Sequence, residues 1–575
     1  MKRIYIFIIP FLTLLSACNK VMDTKPLDKY TASDIWGNYS LAQGYMYTCY
    51  ANIVGGSLIN WSDDILTKDM VNEPWGGSYV SEKTEQMDKY SDEGWSNFGN
   101  IRSVNLAIQN LPSTSFTQIQ KNTLLGEAYF LRSVIYFIEA KKFGGVQIVK
   151  NVLTPGSNFA IGRSTLKETY DFILSDLDSA GALLPLTNDR GRATNGAAYA
   201  LTMRVALQAG AYLNDNSYYK RVITAGNSLF ALGQYSLDSY SNLFNAYATA
   251  VSSKENILVY DQLSTNTSFS NTPMQIIVPN AAQSGKLTPA AAALFPLAET
   301  LEGWMNFSPT QDLVDDYLVT DIDGTEKSWD QTSYIVSGGN ANAQMYQHRD
   351  QRFYASIVYD SMPYFKDFVY TRQNGNVSNI NSPIIGGCTS AGTSTGYIFK
   401  KYLYQDKKLW YSDPVNFCYS VLRLGEAYLN YAEASIRLGD EATAQTYITK
   451  TYQGHGGFTN NIIATGSALW TAYKKERNVE MVLECGDRYW SLLRWGMQQS
   501  GGLQQGYENN AYSIPELNGP VHGVAISTDG KSFHLFSKNE LNNLPLLFTP
   551  RRYLFPIPYT QTQSNSLLTQ NPGWN

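Results

Sequence analysis

Cys18 carries the most legible chemistry in this chain. It follows Leu15, Ser16 and Ala17, and that quartet resembles a bacterial lipobox, in which the thiol is acylated and cleavage then exposes the cysteine amine. Lys2 and Arg3 supply positive charge ahead of an apolar run from Ile4 to Leu15, broken by Pro10 and Thr13. Ser16 and Ala17 are the small residues a signal peptidase needs before its cut. The run is shorter than the roughly 20 apolar residues a spanning helix requires, and no later segment reaches that length. Residues 1–17 therefore read as a removable export signal. Cys18 becomes the lipid-bearing first residue, tied to the bilayer by its acyl chains.

Other reactive side chains point to less. Glu426 and Glu433 could be an acid and base, but a glycosidase needs carboxyl groups roughly 5–10 Å apart across an open cleft. Both sit in apolar helical sequence, so a non-enzymatic protein is expected. Cys49, Cys388, Cys418 and Cys485 lack CxxC spacing, and the four histidines are scattered, so no zinc site and no cofactor is read. The four cysteines are expected as free thiols, although an oxidising compartment leaves disulfides open. Asp321-Ile322-Asp323-Gly324 begins like a calcium loop but lacks the remaining ligands, and reads as a turn. A net charge of −5 without a basic run argues against nucleic acid.

The elements that must position any site are mainly helical. A polar stretch, residues 18–28, reads as a tether. A Thr/Ser/Asp cluster at 31–34 then caps a helix running through Trp36 toward Cys49. Helical periodicity follows over 122–143, where Leu124, Ala128, Leu131 and Ile135 form one stripe. It continues over 165–184, 197–212, 218–232, 422–438, 441–452 and 467–494. The pairs 197–232 and 422–452 have short joins and are rich in alanine, as in tetratricopeptide hairpins. Stacked side by side, such hairpins build a superhelix with a shared core. Residues 250–420 differ, being dense in Gly, Ser, Asn and Pro, with strand-like runs at 257–260 and 353–359. The expected fold is mainly α: a tetratricopeptide-like helical-repeat superhelix with large loop-rich insertions and a few short strands. It forms one body over 29–575, with its scaffold mainly in 29–250 and 420–496.

Seven motifs in order resemble the SusD/RagB-like nutrient-binding lipoproteins. They are Gly126–Arg132 with Phe143-Gly144-Gly145-Val146; Arg163–Tyr170 with Asp176-Leu177-Asp178 and Leu184-Pro185; and Gly191–Ala198. Next come Asp350-Gln351-Arg352-Phe353, Arg423–Ala434, and Glu476–Glu480 with Gly486-Asp487-Arg488 and Leu493–Gly496. The tail, Phe555–Pro558 and Gln570–Trp574, closes the series. Two positions depart: Asn478 stands where a second Arg is common, and Cys485 where a Gly or small residue is usual. Arg132, Arg423, Glu426, Glu433, Glu476, Glu480 and Arg488 lie in otherwise apolar helices and are expected in buried ion pairs, because unpaired they are costly.

The resemblance implies a shallow glycan site made by loops, mainly 50–100 and 250–420. Sugars stack on aromatic faces while planar polar groups take their hydroxyls. One candidate region holds Asp63, Asp64, Asn72, Trp75 and Tyr79, and Trp75 stands in a Gly/Pro-flanked turn. The other holds Trp304, Trp329 and Tyr334. Trp61 and Trp95 are expected to pack. The resemblance also implies a partner, a SusC-type TonB-dependent outer-membrane barrel, and a lipid-anchored position on the outer membrane facing the exterior. The ligand would be an oligo- or polysaccharide. An oligopeptide-binding lid on the same kind of transporter is the alternative, and a surface glycosidase a third reading.

Overall fold

The computed structural model describes residues 30–59, 62–73, 79–95, 98–281, 293–295, 301–378, 392–406, 409–510, 512–540 and 544–575. Cys18, Trp61, Trp75 and Cys388 lie outside them. Eleven helices matter here: α1 Ala32–Gly37, α2 Tyr39–Tyr50, α3 Phe98–Asn110, α4 Gln118–Phe143, α5 Leu166–Leu183, α6 Asn195–Leu213, α7 Asn216–Ala231, α8 Leu424–Arg437, α9 Glu441–Gly454, α10 Gly466–Met481 and α11 Asp487–Gln499.

Their starts follow from capping chemistry. Thr117 and Thr165 each form a capping box, with Gln120 and Glu168 respectively, at the head of α4 and α5. Thr31 does the same with Asp34 for α1. The expected single helix from 31 toward 49 is broken at Asn38, whose backbone is extended while its carboxamide oxygen accepts from Ser40 and Leu41 N–H, starting α2 afresh. The expected helix over 467–494 also divides. Val482–Gly486 interrupts it, and Leu483, Cys485 and Gly486 all have positive φ there.

Successive helices pack in a row: α4 on α5, α5 on α6, α6 on α7, α7 on α8, α8 on α9 and α9 on α10. The contact of α7 with α8 joins two hairpins nearly 200 residues apart in the chain. Gly226 permits that approach, since a Cβ there would stand 2.5 Å from Tyr431 Cδ2. One apolar cluster runs through the row, from Ala42 to Trp574. The strands are short and, among the described residues, every sheet is a pair. The antiparallel pairs used below are β1 Met70–Asn72 with β5 Phe307–Pro309, β2 Asn256–Gln262 with β6 Phe417–Arg423, and β3 Asn280–Ala281 with β4 Leu301–Glu302. The 257–260 run is thus a strand. Most of 353–359 is not: Gln351–Ser356 is helical because Asp350 caps it, and only Ile357–Val358 are extended.

The charged motif residues lie in the interior and are paired across elements. Arg132 on α4 grips Asp176 on α5 at 2.6 and 2.8 Å, and Glu127 accepts from Arg192 at 2.7 and 2.8 Å. Glu426 takes Arg204, Glu433 takes Arg494, Arg477 takes Asp487 and Arg488 takes Asp69. Arg352 binds Asp350 and Glu476, and Arg423 binds Glu255, Glu480 and Glu484. In the tail, Asn571 Nδ2 donates to Phe143 O and Phe555 O, while its Oδ1 accepts from Arg163. Motifs distant in sequence are therefore partners in space. Cys49, Cys418 and Cys485 are free thiols. The Asp321–Gly324 segment is a turn, Gly324 N–H donating to Asp321 O, and Lys327 bridges the carboxylates of Asp321 and Asp323.

Candidate ligand-binding surface

The β1–β5 pairing brings the two candidate regions together. Beyond the paired strands Glu73 N–H donates to Asn306 O at 2.9 Å, and Thr310 N–H donates to Asp69 O. The Glu73 carboxylate, fully buried, accepts from Ser308 Oγ and from the amide and hydroxyl of Ser394. Trp304 lies two residues before Asn306.

Trp304 is 48% exposed. Its N–H donates to Gln275 O at 2.8 Å, fixing the backbone while the indole faces solvent. A second exposed pair, Trp410 and Tyr411, is laced to the same edge. Tyr411 N–H donates to Glu302 Oε2 at 2.9 Å, and Asn280 Nδ2 donates to the Tyr411 hydroxyl at 3.2 Å. Both anchors come from the β3–β4 pair that runs into Trp304. Aromatic faces and planar polar groups thus share one loop-built edge, the composition that recognises a sugar. Trp410 and Tyr411 escaped the reading from sequence, although two adjacent aromatics before Ser412-Asp413-Pro414 are a visible signal of an exposed turn.

The other candidates occupy different surroundings. Asp63 and Asp64 are 5% and 2% exposed. Asp63 accepts from Trp490 Nε1 at 2.7 Å, and Asp64 accepts from the backbone N–H of Leu483 and Arg488. Burial, with Asp487, Asp69 and Asp63 nearby, pushes the Asp64 pKa well up. These carboxylates hold the start of α11 instead of facing solvent. Asn72 is buried on β1 and donates to Glu540, which also pairs with Lys83. Trp329 is buried, its Nε1 donating to Asp315 at 2.7 Å, because the polar run around it folds back onto the core. It offers no open face. Tyr334 is half-buried and stacks on His348 at 4.9 Å. Tyr79 is half-buried, in the left-handed region at φ 69°. Trp95 packs edge-on to Phe143.

Two acidic clusters bear on catalysis and metals. Glu433 is enclosed by Arg494, Tyr473 and Trp495. Burial favours its neutral form, but the Arg494 guanidinium outweighs that and holds the pKa at about 2. Glu426 is clamped by Arg204. Neither carboxyl faces a cleft, and neither suits proton transfer to a sugar. Glu255, His455 and Glu480 bring ligand-type atoms within 4.8 Å of one another. Burial works against a charged His455, yet Glu255 and Glu480 outweigh it and raise its pKa to about 10. Both ring nitrogens face carboxylates and Arg423 bridges those same carboxylates, so the cluster is a buried network of ion pairs.

Comparison with known proteins gives this arrangement a context. The family model described as the SusD family matches residues 254–574, more than half the chain. This chain belongs to the SusD family. A second family model, described as starch-binding associating with outer membrane, matches residues 5–207. A SusD-like protein of Bacteroides ovatus is 23% identical over 526 residues, 87% of this chain and 84% of that protein. A SusD-like protein of Formosa agariphila is 33% identical over 138 residues, 24% of this chain and 25% of the relative. Among solved structures, a SusD-like protein from Bacteroides fragilis superposes with a TM-score of 0.75 at 24% identity, covering 96% of this chain and all of the other. A protein titled laminarin binding and SusD-like superposes at 0.58 with 18% identity, over 94% of this chain. The mainly helical repeat fold expected from the sequence is the fold of this SusD-family chain. No helix among its described residues is long and apolar enough to cross a membrane.

Proposed function

We propose that this SusD-family protein is a non-catalytic, surface-exposed lipoprotein that binds an oligo- or polysaccharide and passes it to a SusC-type TonB-dependent outer-membrane barrel. The observation that carries the glycan reading is the exposed aromatic edge of Trp304, Trp410 and Tyr411, tied together through Asn280 and Glu302. Trp75, Tyr79 and Tyr334 are proposed as further ligand contacts. Asn72 acts from beneath, on the strand paired with Phe307–Pro309, whereas Asp63, Asp64 and Trp329 hold other parts of the scaffold. A laminarin-binding SusD-like protein among its relatives in fold and the starch-binding description of the family model support a glycan as ligand. The outer-membrane description and the lipobox support residues 1–17 as signal and Cys18 as anchor. Residues 18–28 then serve as tether, with 29–575 as one body facing the cell exterior.

Affinity electrophoresis against a panel of polysaccharides, with oligopeptides tested by calorimetry, decides the reading. Each exposed ring is expected to contribute about 1 kcal/mol of stacking, so Trp304→Ala and Trp410→Ala should each weaken glycan binding about fivefold. Trp75→Ala is expected to do the same. Binding to peptides and to no glycan would overturn the reading. Glycan affinity unchanged in all three variants would move the site elsewhere.

A further inference from the structure

A small cavity lies inside the scaffold, where α4, α6, α8 and α11 meet beneath the Val482–Gly486 break. It offers about 40 Å³ to the centre of a water-sized sphere and is lined by Lys141, Arg204, Gln208, Asn430, Cys485 and Trp490, among others. A single water needs roughly 10–15 Å³ of such space. The cavity therefore takes a monatomic ion with a companion water, and nothing as large as a sugar.

Its polar lining is lopsided. Arg204 spends Nε and Nη2 on Glu426 and on Val421 O, leaving Nη1 without a partner among the described residues. Gln208, 2% exposed, is one helical turn further along α6 and likewise has an unpartnered Nε2. The wall's acceptors are already engaged. Asp487 takes Arg477 and Ser491, Glu484 takes Arg423 and Lys401, and Asn430 Oδ1 takes Arg477. Lys141 adds an ammonium 4.5 Å over the Trp490 ring, and Asp63, which accepts from Trp490 Nε1, is the carboxylate that most favours its charge. Burial lowers the Lys141 pKa to about 8, so a negative charge beside it would relieve a real cost. The two buried lining atoms without a partner among the described residues, Arg204 Nη1 and Gln208 Nε2, are both N–H donors. Water filling such a site must also place its own protons, whereas a halide accepts from every donor and brings none.

We propose that this cavity binds a halide, chloride under ordinary conditions, held by Arg204 Nη1, Gln208 Nε2 and the Lys141 ammonium. Its ligands come from α4 and α6, so the ion ties those two helices together against the wall formed by α8 and α11. Crystals of the mature chain grown in sodium bromide and recorded at the bromine edge give the direct test. An anomalous peak within contact distance of Arg204 Nη1 and Gln208 Nε2 is expected. Melting curves in sodium chloride against sodium gluconate at equal ionic strength should show a saturable rise specific to the halide. Gln208→Leu and Lys141→Met should each raise the chloride concentration for half-effect about tenfold, as loss of a charge-assisted hydrogen bond implies. A cavity with no anomalous peak at high bromide overturns the proposal in favour of water. So does a wild-type melting response that is identical in chloride and gluconate.

Discussion

At the scale of single residues, His455 shows how a titratable group is recruited to hold the fold. Its two ring nitrogens stand 3.0 Å from Glu255 and 2.7 Å from Glu480, and the three side chains are fully buried. The folded-state pKa of about 10 lies above the ordinary value of 6.5. The stabilisation is therefore complete below about pH 6.5 and is lost as pH rises through about 10. His455→Gln should cost about 3 kcal/mol at pH 6, the scale of a broken buried pair. Urea unfolding of both proteins at pH 6, 8 and 10 should show that gap narrowing steadily. Lys401, lowered by burial to about 8, acts with the opposite sign over the upper half of this range, but it is common to both proteins and leaves their difference. A gap unchanged between pH 6 and 10 would mean that His455 is not the imidazolium described. The residue scale also accounts for one departure from the family pattern. Cys485 has φ 54°, a conformation that favours glycine, and its N–H is held by the Tyr419 hydroxyl at 2.7 Å. The other departure, Asn478, donates to Asp316 at 2.8 Å.

At the scale of elements, the helices were readable because their signals are local. Apolar spacing marks their buried stripes, and Thr, Asn or Asp oxygens mark their starts. The breaks were not readable. The interruption at 482–486 depends on Asp64, more than 400 residues away, accepting the Leu483 and Arg488 amides. Likewise, Trp329 stands in polar sequence yet is buried, because Asp315 receives its indole N–H. The expected ion pairs were legible as charges in apolar stripes, but their partners were not. Helix glycines divide along the same line. Gly44 on α2 has nothing within 4 Å of an added Cβ, whereas Gly226 on α7 faces Tyr431 at 2.5 Å and Met203 at 3.0 Å. Alanine at Gly44 should raise stability by about 0.5–1 kcal/mol through helix propensity. Alanine at Gly226 gains the same propensity but must displace a ring at the α7–α8 join, and should lower stability by about 1–2 kcal/mol net. Thermal melts of the two variants should shift in opposite directions. Shifts of the same sign would show that the α7–α8 seam is looser than its glycine indicates.

At the scale of the whole molecule, the chain closes on itself. The tail motif around Asn571 is 428 residues from Phe143, yet its carboxamide joins three segments. Asn571 Nδ2 donates to Phe143 O at 3.1 Å and Phe555 O at 2.7 Å, and Oδ1 accepts from Arg163 Nη2 at 2.9 Å. Trp574 adds an indole N–H to Leu554 O, with the Arg551 guanidinium 4.3 Å from its ring. The end of α4, the segment before α5 and the C-terminus are thereby one junction, spanning the regions matched by the two family models. It lies apart from the exposed aromatic edge, so it supports the scaffold without touching the ligand. Asn571→Ala removes the donor to the Phe555 carbonyl and one acceptor of Arg163, while Phe143 O keeps Arg163 Nη2, at about 1–3 kcal/mol for each group left without a substitute. The expected result is a loss of several kcal/mol in urea unfolding with glycan affinity of the folded protein unchanged. Asn571→Asp keeps the acceptor for Arg163 and loses both donors, so it should fall between wild type and alanine. Equal stability of Asn571→Ala and wild type would mean that the two halves are joined by the helix row alone.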